Sequence, residues 1–250
     1  MAGAAETILK LETLKGHALQ ARDGEIGTLE EIYFDDARWI ARYFVAHTGG
    51  WFFGRDVLIA PSQLRGLVPH RAQLEVELSR EQVEGSPLVG TEKPVSRHYE
   101  ELFARYYELE PYWTPGSGLE LPRHPNGPIR IPPREECEPE RPHLRSSDEV
   151  SGYHIHATDG TMGQVADLLV SDGDWRVRFL EVDTRKWWPG RHVLISPAWI
   201  ERVSWADREV YVKVTREAIK SAPDYDPSRE IGPDDEIQLF EHYGHDVSGR

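Results

Sequence analysis

The sequence predicts a mainly β chain: two small six-stranded β-barrels with short flanking helices and a proline-rich linker between them. Three observations carry this reading. The 250 residues repeat themselves without a gap at a spacing of 136 positions. Each copy is a series of short apolar runs broken by turn residues, and five or six short strands in about 70 residues are what a small barrel needs. Two late runs, "AQLEVEL" and "REVYVKV", alternate strictly between apolar and polar residues, which places Leu74, Val76 and Leu78, or Val210, Val212 and Val214, on one buried face.

Taken in order, the first copy opens with "ARDGEIG" at 21–27, which returns as "ATDGTMG" at 157–163. Residues 19–21 lead into Asp23-Gly24 and 26–33 lead away, as in a hairpin. Asp bonds its own backbone and Gly takes positive φ freely, so Asp23, Gly24 and Gly27, with Asp159, Gly160 and Gly163, read as structural turns. "RWIARYFVAHT" follows, rich in aromatic and β-branched residues, and then the short run 57–59 ending at Pro61. The repeat pairs Gly16 with Gly152, Asp36 with Asp172, Trp39 with Trp175 and Arg42 with Arg178. "WFFGRDVLIAP" falls on "WWPGRHVLISP", and "SREQVEGSP" on "TREAIKSAP". Beyond the strands, Phe103, Tyr106 and Tyr107 are spaced three and four apart, as are Leu239, Phe240 and Tyr243, so each copy ends in a short amphipathic helix that needs a surface to cover. Residues 111–142 are loaded with proline and form an extended arm, with Tyr112, Trp113 and Ile129 available to tack it down. The expected domains are a first barrel at 1–87, a helix and linker at 88–147, a second barrel at 148–223, and an acidic tail with a short helix at 224–250.

At the G-x-x-[LI]-x-A-x-D-G-x-x-G opening, the strand pair around Trp39 or Trp175 and the V-L-I-[AS]-P strand, each copy resembles a PRC-barrel domain, the fold of the cytoplasmic part of the photosynthetic reaction-centre H subunit. The match covers 16–86 and 152–222. The resemblance implies a compact six-stranded barrel used as an adaptor surface. Related barrels occur in that subunit and in a ribosome-maturation factor. This chain differs from the first in lacking a membrane helix, and from the second in having two barrels and no companion domain.

A formal charge of −14 repels phosphate backbones and anionic membrane surfaces, so nucleic acid and membrane are not the expected partners. Cys137 is the single cysteine, which excludes an intrachain disulfide and a cysteine metal cluster. With no signal-like N-terminus and no apolar run of 18 residues, a cytoplasmic protein is expected.

Candidate chemistry is sparse. His154 and His156 share a strand face and are a weak metal pair, lacking a third ligand. Trp51, Trp187 and Trp188, with Arg55 and Arg191 after a Gly, are candidate binding residues at a barrel–barrel seam; the arginines would clamp either an internal carboxylate or an external anion. No phosphate loop, nucleophile elbow, zinc-protease helix or dinucleotide fingerprint is present. No cofactor and no catalytic residue are therefore expected. The leading expectation is a non-enzymatic adaptor or scaffold that binds a protein partner or itself, a homodimer being allowed. The alternative is a small-ligand or anion binder, or an enzyme, at the seam. A link to photosynthetic electron transfer or the ribosome is the weaker implication of the resemblance.

Overall fold

The computed structural model describes residues 7–49, 54–68, 71–87, 89, 94–113, 144–184, 191–229 and 231–244. In the first copy the elements are β1 (Ile8–Lys10), α1 (Leu11–Leu14), β2 (Ala18–Ala21), β3 (Gly24–Asp35), β4 (Ile40–His47), β5 (Asp56–Ile59), β6 (Leu64–Leu67), β7 (Gln73–Val76), α2 (Arg80–Glu84) and α3 (Arg97–Tyr106). In the second they are β8 (Leu144–Ser146), α4 (Ser147–Val150), β9 (His154–Ala157), β10 (Gly160–Ser171), β11 (Val177–Asp183), β12 (His192–Ile195), β13 (Ile200–Ser204), β14 (Glu209–Val212), α5 (Arg216–Ser221) and α6 (Pro233–His242). Every element of the first copy returns at the 136-residue offset, to within a residue or two at its ends.

The strands form two sheets of seven. One runs β5-β4-β3-β2-β7-β6 and the other β12-β11-β10-β9-β14-β13. The mainly β fold with short helices is as expected, but the hydrogen-bonded path does not close: each sheet begins at its fifth strand and ends at its sixth. The reason lies in the corner between them. Pro61 has no N–H to give, and the neighbouring groups bond locally, the Gln63 amide to the Ala60 carbonyl at 2.9 Å and the Ala60 amide to the Gln63 side chain at 2.8 Å.

The seventh strand of each sheet comes from the other copy. β1 pairs with β10, Ile8 opposite Ser171 and Lys10 opposite Leu169. β8 pairs with β3, Leu144 opposite Asp35 and Ser146 opposite Tyr33. The exchange has a physical cause. β2 covers only the first part of β3's edge, from Gly24 to Thr28, and leaves the rest needing donors and acceptors. β8 fills that gap, and the Ser147 hydroxyl accepts from the Ile32 amide at 3.2 Å between the two ladders. The copies also meet at Ile40 and Arg176, where the Ala41 amide bonds the Trp175 carbonyl at 2.8 Å and the Val177 amide bonds the Trp39 carbonyl at 2.7 Å. These two bonds exchange under the 136-residue offset, so the copies are related by a pseudo-two-fold axis through this bridge. Trp39 and Trp175 both hold positive φ, 55° and 56°, and Trp175 packs edge-on to Phe44 of the first copy at 4.6 Å. Neither half is a self-contained unit: residues 8–10 belong to the second sheet and 144–146 to the first.

The inner faces of both sheets form one continuous apolar core, including Leu19, Ile32, Phe34, Phe44, Leu168 and Val182. The late strands alternate as the sequence predicts, Leu74, Val76, Val210 and Val212 being at most 2% exposed. Both helices cover their own sheet. Tyr99 and Phe103 of α3 pack on Tyr43, Val45 and Leu58, whereas Tyr106 faces outward. Phe240 and Tyr243, in and just after α6, lie against Trp199 at 5.5 and 4.2 Å between ring centroids.

Candidate functional site

The repeated Asp-Gly turns are joints between elements. Asp23 Oδ1 accepts from the Arg80 amide at 2.8 Å and Asp159 Oδ1 from the Arg216 amide at 2.7 Å, so each hairpin turn caps the short helix that follows the last strand of its own copy, α2 or α5. Gly24 and Gly160 hold φ of 148° and 138°. Gly27 and Gly163 are needed for close approach: a Cβ at Gly27 would meet the His47 carbonyl oxygen at 2.0 Å, and one at Gly163 would meet Val182 Cγ1 at 2.7 Å.

Arg55 and Arg191 are held by the helices of their own copies. Arg55 donates to the Val83 carbonyl at 3.0 Å and to the Glu84 carbonyl, at the end of α2. Arg191 donates to the Lys220 carbonyl at 2.6 Å and the Ala222 carbonyl at 3.0 Å, and pairs with Asp224. A cation at a helix C-terminus satisfies orphan carbonyls and opposes the helix dipole; Arg191 meets a carboxylate as well, whereas Arg55 is held by the helix-end carbonyls. Trp51, Trp187 and Trp188 lie outside the described residues, as do Cys137 and Ile129. The seam itself is built from Trp39, Ile40, Trp175 and Arg176, with α1 and α4 beside it, where Lys15 reaches Asp148 at 2.6 Å and Glu12 at 2.9 Å.

His156 is engaged singly: its Nε2 is 3.1 Å from Glu209, its Nδ1 is 3.3 Å from the Thr161 hydroxyl, and its ring stacks on Tyr211. His154 is exposed on the same strand. Among the described residues these two do not belong to any set of three donors close enough to share an ion.

Two buried carboxylates organise the outer faces of the sheets. Glu100 of α3, with no exposed surface, accepts from Tyr112 at 2.7 Å and Tyr43 at 3.2 Å and pairs with Arg97 at 3.3 Å. Arg42 stacks over the Tyr112 ring at 4.0 Å, so the start of the linker is tacked to the first sheet, as the aromatic pair there predicts. In the second sheet Glu181 takes the position of Val45 and is 2% exposed, with Lys10 at 2.6 Å and His192 at 2.7 Å. Both carboxylates are faced by hydroxyl or cationic groups of the chain itself, which is the arrangement of a structural joint.

Near Glu181, burial pushes Asp167 up to about 6, the Glu181 charge adds to the effect, and the Leu168 and Glu12 amides and Lys10 only partly offset it. The folded value lies above the unfolded one. Stability from this group is therefore present below pH 4 and lost as pH rises through 6. At 1.36 kcal/mol per pKa unit, full ionisation costs roughly 2–3 kcal/mol. Asp167→Asn is expected to match the parent at pH 4 and exceed it by about that amount at pH 7 in urea unfolding. Equal stability of the two at both pH values would remove the assignment.

One further constellation was not visible as a motif. Glu30 on β3, His47 on β4 and Asp56 on β5 place one donor atom each within 4.8 Å of one another. The sequence carried a faint trace of it, because at the 136-residue offset His47 falls on Asp183 and Asp56 on His192, a reversed His/Asp pair. No family model matches the chain, and no curated protein matches it.

Proposed function

We propose that the chain is a non-enzymatic adaptor, a fused pair of PRC-barrel-type modules whose curled sheets act as barrels and present a rigid two-fold platform to a protein partner. The reciprocal exchange of β1 and β8 carries this reading. Two single-copy chains making the same exchange would be an intertwined homodimer, so the module is built for association, and the duplication has drawn that association into one chain. The surface agrees: the exposed large apolar side chains among the described residues are Leu102 and Tyr106, one turn apart on α3. A cleft beside α6, lined by Tyr225, Arg229, Asp235 and Leu239, has a volume of about 80 Å³. Ligand pockets run to about 300–1,000 Å³, so this cleft favours a partner surface over a bound metabolite. No helix among the described residues is long and apolar enough to cross a membrane.

Light scattering of the purified chain, paired with quantitative affinity capture from native expression, tests the reading. A stoichiometric complex, with itself or with another protein, that is lost in Leu102→Asp is expected. A strict monomer that captures no protein in stoichiometric amount sinks it.

A further inference from the structure

We infer that Glu30, His47 and Asp56 form a binding site for a divalent first-row metal ion, of which Zn²⁺ is the best fit. The inference does not depend on the adaptor reading. His47 and Asp56 sit directly opposite each other on β4 and β5, so their side chains leave the same face, and Nδ1 is 3.0 Å from Asp56 Oδ1. Glu30 arrives by a different device. The ladder between β3 and β4 slips between Leu29 and Glu31, Leu29 facing Ala46 and Glu31 facing Val45, so Glu30 is the extra residue of a β-bulge. Bulges re-aim a side chain out of the regular ladder, and this one brings Glu30 Oε1 to 3.8 Å from His47 Nδ1.

The spacing suits an ion. Ligand atoms about 2.1 Å from a metal stand about 3.0 Å apart at right angles and about 3.4 Å apart in a tetrahedron. The observed 3.0 and 3.8 Å edges bracket those values, with the three atoms all inside 4.8 Å. One imidazole and two carboxylates make a mixed nitrogen–oxygen set, which Ca²⁺ and Mg²⁺ do not seek and which zinc accepts with a water in the remaining position. The set also gathers two carboxylates about one imidazole, and a cation between them relieves the repulsion of the carboxylates.

The second copy shows what the same framework does without the site. Its bulge is kept, between Val165 and Asp167, but the extra residue is Ala166. Its histidine has moved to the facing strand, where His192 holds buried Glu181 at 2.7 Å. There the histidine faces a carboxylate that is itself 2% exposed. In the first copy the three groups are 46%, 37% and 21% exposed for Glu30, His47 and Asp56, open to an ion from solvent.

The test is calorimetric titration of the full, untagged, chelator-stripped chain with Zn²⁺, with Co²⁺ absorption reporting the donor set. Saturation at one ion per chain is expected. Glu30→Gln and Asp56→Asn should each weaken it at least tenfold, His47→Ala should abolish it, and the pair His154→Ala and His156→Ala should leave it unchanged. Glu30 is a surface residue, so Glu30→Gln keeps the test meaningful even if His47→Ala folds poorly. Absence of saturable binding by the parent chain overturns the assignment, as does parental affinity in both Glu30→Gln and His47→Ala, which would leave His47 and Asp56 as an ordinary surface ion pair.

Discussion

Deleting residues 1–10 is expected to lower the unfolding free energy by about 5 kcal/mol, with the damage in the second sheet and not in the first. The deletion removes the ladder from Ile8–Lys10 to Leu169–Ser171, the bond from the Thr7 amide to Asp172 at 2.8 Å, and the ammonium facing Glu181 at 2.6 Å. Breaking a buried pair by removing one member costs about 3–5 kcal/mol, because the remaining charge is left uncompensated. A domain's net stability is about 5–15 kcal/mol, so the truncated chain sits near its unfolding threshold. Hydrogen exchange locates the effect: the Asp172 amide, which bonds the Thr7 carbonyl at 3.0 Å, should lose protection, whereas the Ser171 amide, bonded to the Arg176 carbonyl at 3.0 Å, and those of β3 and β4 keep theirs. Lys10→Met should reproduce only the ion-pair part of the loss, since it keeps the β1 ladder and His192 stays beside Glu181 in both variants. The mirror change, Leu144→Asp, should instead loosen β3, where Leu144 is 1% exposed. If the truncated chain unfolds at the parental denaturant midpoint, the exchanged strand is not the bond between the halves.

Gly27→Ala is expected to cost more than about 3 kcal/mol, two terms adding in the same direction. Its φ of 141° lies where L-residues are strained by about 1–3 kcal/mol. The new methyl would also meet the His47 carbonyl oxygen at 2.0 Å, its carbon at 2.7 Å and Thr48 Cα at 2.9 Å, all backbone atoms that cannot swing away. Gly16→Ala is the internal comparison: φ is 78° but nothing lies within 4 Å, so only the backbone term, about 1 kcal/mol, should appear. Thermal unfolding of the two variants distinguishes close approach from mere turn geometry. Equal losses would show that β3 and β4 can part at little cost.

The duplication was fully readable in the sequence because it is written in local terms. Turn residues, alternating apolar runs and the Gly-Arg step each report a neighbourhood of a few positions, and they recur in both copies. The exchange of β1 and β8 was not readable. Ile8–Lys10 and Leu144–Ser146 do obey the same offset, but three residues carry no period, and nothing local says which sheet a short strand joins. Arg55 and Arg191 were recognisable as a pair, and the helix ends they serve followed only from the path of the chain. The Glu30, His47 and Asp56 set was hidden for the opposite reason. It draws on three strands and a bulge, and a bulge leaves no mark in the sequence beyond a broken alternation. Closure of the barrels was expected from strand number alone, whereas the corners at Pro61 and Pro197 spend their bonding groups on themselves.

The crossed strands also impose a schedule on biosynthesis. A ribosome delivers β7 by Val76 but does not deliver β8 until Leu144, 68 positions later. At about 5–20 residues per second the nascent first sheet waits roughly 3–14 s with the end of β3 unpaired. An open edge of that kind is adhesive toward other chains, so crowded polysomes are where this protein is most exposed to misassembly.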